Sequence, residues 1–229
     1  DQEVFDISDD IFTLREGLQI VDHNGGAPTW YLGETNEIVW RKSFLSPPAL
    51  LEFSGTGSFV DTNDIYRITP ASIGADPLNS FDWDTPLNVS LLPSATAKLR
   101  VRPVAAGLIH LADESDADFL MAGAVVVAPQ TGEGVKKDAV YDLQWISAGM
   151  GPDVILEVQD QPMGAWAMIN PAAPNFTGLN HYDWTPTNNP TETARIRIST
   201  TNDARAQGIS EDFTIAAIDL LSPVGNADL

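Results

Sequence analysis

The stretch FDWDTP (81–86) returns about a hundred residues later as YDWTP (182–186), and its neighbours return with it in the same order. Upstream, EIVWRK (37–42) matches DLQWIS (142–147), which puts Trp40 and Trp145 105 residues apart. Downstream, AKLRVRP (97–103) matches ARIRIST (194–200), and SDADFLMAGAVVVAP (115–129) matches SEDFTIAAIDLLSP (210–223). Four blocks in one order mark a repeated structural unit. The offset shrinks to 101 at Trp83 and Trp184 and to 94 at Pro129 and Pro223. Loops have changed length on a framework that has been kept.

The closing block occurs a third time, as SDDIFTLREGLQIVDHNGG (8–26), with no unit in front of it to close. The expected organisation is therefore a closing strand of a preceding repeat plus linker (1–26), a first domain (27–130) and a second (131–229). A chain that starts at Asp1 without Met fits a piece of a longer tandem array. Residues 1–22 are expected either to pair within the first domain or to await another one. The stretches DHNGGAPTWYLGET (22–35) and PQTGEGVKKDA (129–139) read as short linkers that restrict movement between domains.

A length of 229 residues accommodates two units of about 100 residues, each with a core of its own. Hydrophobic residues at 43% and a mean hydropathy of −0.07 describe globular material rather than a disordered spacer. Twelve basic against 32 acidic residues give a net charge of −20, which repels nucleic acid and anionic membrane surfaces. No apolar run approaches the roughly 18 residues of a helical membrane span. The absence of cysteine excludes disulfides, thiolate metal sites and a cysteine nucleophile. It also argues against an immunoglobulin domain with a bridge between its sheets. The acidity reads as solubility in an extracellular or salty setting, or, for some carboxylates, as calcium binding.

Apolar residues alternate with period two in LQIV, EIVW, ALLEF, IYRI, NVSLL, KLRVRP, GLIHL, AVVVA, VILEV, WAMI, ARIRIS and DFTIAAIDLL. Turn-rich clusters separate them, and 17 Gly with 16 Pro leave few windows for a helix of three turns. Seven or so short strands per hundred residues predict an all-β chain of two tandem immunoglobulin-like β-sandwiches, with an N-terminal strand left over from a preceding domain. Trp40, Trp83, Trp145, Trp184, Phe119 and Phe213 fall at matched places in the repeats and are the predicted core anchors. The rival reading is a carbohydrate platform of exposed rings, for which Trp30, Tyr31 and Trp166 are the least core-like. KLRVRP and RIRIS each show one apolar and one basic face, as sheet strands with one side in water do.

A Trp in an early strand, a strand of the DVILEV kind, a mid-domain WTP, an RIRI strand and a closing SEDFTI together resemble the bacterial and fungal cell-surface domains of the Kre9/KNH type. The second domain fits this pattern well. The first fits loosely, with WDTP for WTP and ADFLMAG for the ending. The resemblance implies an extracellular, surface-exposed building block, often strung in tandem in cell-wall and surface-layer (S-layer) proteins. It carries no catalytic residues across.

The residues themselves offer little chemistry. His23, His110 and His181 have no matched copies in the other repeat, and no HExxH or GxSxG spacing occurs. SGTGSF and AGMGPD lack the context and the lysine of a phosphate loop, and no carboxylate pair stands out. The expected function is therefore non-catalytic. Acids gather ahead of each closing strand: Asp6, Asp9 and Asp10; Asp113, Glu114, Asp116 and Asp118; Asp203, Glu211 and Asp212. Clustered carboxylates could supply about half of the six to eight oxygens that calcium takes, and ADESDAD (112–118) is the best candidate. They could equally cap turns or blunt a strand edge. Asn88 in NVS and Asn175 in NFT are glycosylation sequons by pattern. The expected partners are copies of the chain or neighbouring repeats, or cell-wall glycans if the chain is a binding or adhesin module.

Overall fold

The computed structural model describes residues 17–21, 28–43, 48–69, 78–87 and 91–217. Nine strands build the first sandwich: β1 (Gly17–Ile20), β2 (Thr29–Tyr31), β3 (Thr35–Ser43), β4 (Ala49–Ser54), β5 (Ile65–Arg67), β6 (Leu78–Asp84), β7 (Ser94–Pro103), β8 (Asp113–Glu114) and β9 (Phe119–Ala128). The second adds β10 (Gly134–Lys136), β11 (Tyr141–Ala148), β12 (Asp153–Gln159), β13 (Ala167–Pro174), β14 (Gly178–Trp184), β15 (Thr191–Ser199), β16 (Gln207–Ile209) and β17 (Phe213–Ala216). The protein is all-β, two immunoglobulin-like sandwiches in tandem.

In the first sandwich β1-β3-β6 faces β9-β7-β4-β5; in the second, β9-β11-β14 faces β10-β17-β15-β12-β13. Both end on the same arrangement. A short strand, β2 or β10, runs parallel to the closing strand, β9 or β17, while β7 or β15 pairs with it antiparallel. Registers match too: Ala97 faces Phe119 as Ala194 faces Phe213, and Glu52 faces Arg100 as Glu157 faces Arg197.

Two cores follow from this alternation. Trp30, Trp40, Phe53, Trp83 and Phe119 fill the first, with Trp30 5.0 Å from Phe119 and Phe53 5.5 Å from Trp83 between ring centroids. Trp145, Trp184 and Phe213 fill the second, where Trp184 meets Phe213 edge-on at 6.2 Å. FDWD and YDW recur because each ends the strand that brings a tryptophan under the opposite sheet, Trp83 on β6 and Trp184 on β14.

Several elements differ from the sequence reading. GLIHL forms a 3-10 helix (Ala106–Leu111) rather than a strand, with Ile109 and His110 exposed. Both supposed linkers contain strands, TWY as β2 and GVK as β10, each too short for periodicity to register. Trp30 and Tyr31, read as the least core-like rings, are buried. Residues 17–20, assigned to a preceding repeat, pair with β3 from Gly17 opposite Ser43 to Ile20 opposite Trp40 and so lie in the first sandwich. Residues of β9 belong to both cores, Phe119 and Met121 to the first and Ala122 and Ala124 to the second.

Candidate functional site

β9 is the feature on which the molecule is organised. Its sequence, FLMAGAVVVA, is apolar throughout because neighbours cover both its faces. Its first half closes the first sandwich, through β7 and parallel β2; its second half, Gly123 to Ala128, opens the second by pairing with β11. One sheet of eight strands therefore runs through both sandwiches. A cis peptide bond joins Ala128 to Pro129 after the strand.

The backbones meet closely at this junction. A Cβ at Gly208 on β16 would lie 2.2 Å from the Ala124 carbonyl oxygen, and one at Gly149 2.9 Å from Leu120. Gly149 also has φ +69, so any larger residue there is strained twice. Tyr31, at the end of β2, reaches across to the second sandwich. Its hydroxyl donates to Asp203 Oδ2 at 2.6 Å, and Arg205 Nη2 donates back to the hydroxyl at 3.0 Å. The Arg205 guanidinium also lies 4.1 Å over the tyrosine ring and bonds both carboxylate oxygens of Asp203. Hydrogen bonds from Arg205 and then Tyr31 hold the Asp203 carboxyl well below the ordinary range, so it stays ionised across physiological pH. Within the first sandwich, the Thr85 hydroxyl anchors the β2–β3 turn on the carbonyls of Tyr31 and Glu34.

The outer faces of the two β4/β7-type sheets carry matched charge ladders. Glu52, buried, accepts from Arg100 at 2.7 Å and from Arg102 Nε at 2.9 Å, and Phe59 covers the Arg100 guanidinium at 4.2 Å. Burial pushes Glu52 up, yet the hydrogen bonds from Arg102 and Arg100 outweigh it and leave its carboxyl below the ordinary value. The second sandwich repeats the device with Arg197 on Glu157 at 2.6 Å and Trp166 over Arg197 at 4.6 Å.

The closing phrase has a physical explanation of the same kind. Ser115 exchanges two hydrogen bonds with Leu99, hydroxyl and N–H alike, and Ser210 does so with Ile196. Asp118 lies 3.9 Å from Lys98, and Asp212 pairs with Arg195. Thus S-x-x-D-F, or S-x-D-F, clips the incoming chain to the basic strand before the closing strand begins. The acid cluster of the first repeat is spread over separate tasks. Asp113 Oδ2 accepts from the Ile20 N–H at 2.8 Å, tying β1 down, and Glu114 lies 3.9 Å from Arg100. Asp116 is exposed. Among the described residues no three acidic or histidine side chains are grouped to hold a metal ion.

Asn175, a sequon by pattern, faces inward. It is buried, its Nδ2 donates to the Gly151 carbonyl at 2.8 Å, and its Oδ1 accepts from Trp145 Nε1 and the Ser147 hydroxyl. The nitrogen that a glycan would need already holds the core together. Asn88, Asp6, Asp9, Asp10 and His23 lie outside the described residues. His181 is exposed and 3.1 Å from Asp142. Trp166 is half-buried, with exposed Met163 and Met168 nearby in sequence.

No protein-family model matches the chain, and no curated protein matches it. Among solved structures it is similar to the fibronectin(III)-like modules of Clostridium thermocellum CbhA, at 13% identity over 87% of this chain and 93% of that one, with a TM-score of 0.27. It is similar also to titin domains Z1Z2 in complex with telethonin, at 11% identity over 91% and 100%, TM-score 0.27. A third is the teleost fish polymeric Ig receptor ectodomain, at 7% over 88% and 99%, TM-score 0.31. With scores of this size, the immunoglobulin-like assignment stands on this chain's own strand order and register.

Proposed function

We propose that the protein is a non-catalytic structural segment of a tandem immunoglobulin-like surface protein of the Kre9/KNH or S-layer kind. It holds its neighbours at fixed spacing and associates with copies of itself in an extracellular wall or lattice. The observation that carries this reading is the shared strand β9, because a hinge there would have to break ladder hydrogen bonds of both sandwiches. The Tyr31–Asp203–Arg205 contact adds a second tie beside it. With no native cysteine, Thr62→Cys and Asn189→Cys place two unique spin labels, one on each sandwich. Pulsed electron resonance is expected to give one narrow distance distribution. A broad or bimodal distribution sinks the rigid-spacer reading, and sedimentation showing only monomer at high concentration sinks self-association.

A carbohydrate-binding or adhesin module is the second reading, and Trp166 is the observation that favours it. Its ring is half-buried while Trp30 and Tyr31 are in the interior. Glycan-array binding that disappears in Trp166→Ala would support this alternative.

A further inference from the structure

Where the edge strands β13 and β14 part, the second sandwich opens into a groove of about 410 Å³. Clefts that take small ligands run to roughly 300–1,000 Å³. Tyr182 and Trp184 line the groove from β14, and Thr185, Thr187 and Asn188 from the turn that follows. Met168 and Ile169 line it from β13. Among the described residues, none of the polar side chains at those first five positions is hydrogen-bonded. Trp184 stands out, because its ring is only 5% exposed and its indole N–H has no acceptor, whereas the indole of Trp145 donates to Asn175. A buried donor left without a partner is costly. The nitrogen is not sealed in, since among the described residues only the Thr69 hydroxyl is both enclosed and unpaired. It is reached from the groove that its ring lines. The first repeat spends the same phrase differently: Thr85 is buried, with its hydroxyl on the carbonyls of Tyr31 and Glu34, while Thr185 at the matching place is exposed.

We infer that this groove binds a neutral saccharide, whose hydroxyls meet the Trp184 N–H, the Thr187 hydroxyl and the Asn188 amide. The three groups are uncharged and between them both donate and accept, as a polyhydroxylated ligand requires. Met168 and Ile169 offer apolar surface to the C–H face of a sugar ring. An anion would meet Asp183 beside the groove and a chain of net charge −20. A metal ion would find no grouped ligands among the described residues. An extended peptide adding to β13 would meet Pro171 and Pro174 on a strand whose register against β12 shifts twice. The inference rests on the glycan-binding reading and gives it a site apart from Trp166, whose ring covers Arg197.

The full chain is probed on an array of neutral and anionic oligosaccharides, with a peptide array beside it, and the neutral saccharide bound best is titrated. The double variant Thr187→Ala, Asn188→Ala, made in the surface turn, is expected to keep the fold and weaken binding about tenfold or more. Trp166→Ala is expected to bind as wild type does. In nitrogen-15 spectra the Trp184 indole N–H, assigned by its loss in Trp184→Phe, should move as saccharide is added while that of Trp145 stays. Full binding by the double variant overturns the inference, as does binding to peptides or to anionic glycans alone. Loss confined to Trp166→Ala overturns it too, yet leaves the glycan-binding reading standing; a blank saccharide array sinks both. The spin-label distances bear on neither.

Discussion

Asn175 illustrates how a short motif misleads when its residue faces inward. A three-residue sequon reports acceptor chemistry but not direction, and the direction here is set by Trp145, whose buried indole N–H requires an acceptor. Asn175→Ala is expected to cost about 2–3 kcal/mol in urea unfolding, since it orphans the indole donor and the Gly151 carbonyl together. The same burial predicts that expression in a glycosylating host leaves Asn175 unmodified, so that Thr177→Ala changes the intact mass only by the difference between the two side chains. Glu52 gives a prediction with a sign. Its carboxyl is lowered in the folded protein, so the stability it supplies is fully present above the unfolded value of about 4.3 and is lost as pH falls through the lower folded value. The melting-temperature gap between wild type and Glu52→Gln should therefore be constant near neutrality and close below about pH 4. A gap that widens on acidification would contradict the pairing.

Among elements, those with a long apolar alternation were legible and those defined by a partner were not. VILEV and ARIRIS announce β12 and β15 because each has one face on a core. TWY and GVK, at three residues, owe their strand character to the parallel edge beside them, which no local pattern records. GLIHL shows the opposite failure: its alternation is genuine, but it follows Pro103 and winds into a 3-10 helix at the surface. The acid clusters were visible as clusters, yet their partners sit on a strand 14 to 20 residues earlier in the chain, so their division into clips and ties needed the register. Gly208 was unremarkable in sequence for a similar reason. Because its missing Cβ makes room for the Ala124 carbonyl, Gly208→Ala should cost about 1–3 kcal/mol and disturb β9 rather than β16 alone. Exchange rates of the β9 amides check this; loss of protection confined to Gln207–Ile209 would count against it.

At the scale of the whole molecule, the shared strand makes the two cores mutually dependent. Three tryptophans report on each: Trp30, Trp40 and Trp83 on the first, Trp145, Trp166 and Trp184 on the second. Urea transitions followed with only one trio present, the other replaced by phenylalanine, are expected to coincide after correction for the substitutions; separated midpoints would show that the sandwiches unfold independently. Continuity also limits how such a chain can drift over generations. Between the two repeats, loops have gained and lost residues freely, taking the offset from 105 to 94. β9 has no such latitude, for deleting one of its residues would reverse inside and outside for every side chain on one half relative to the other. Insertions and deletions are thereby filtered to the turns, and the closing strand becomes the ruler against which every duplicated copy has to be cut.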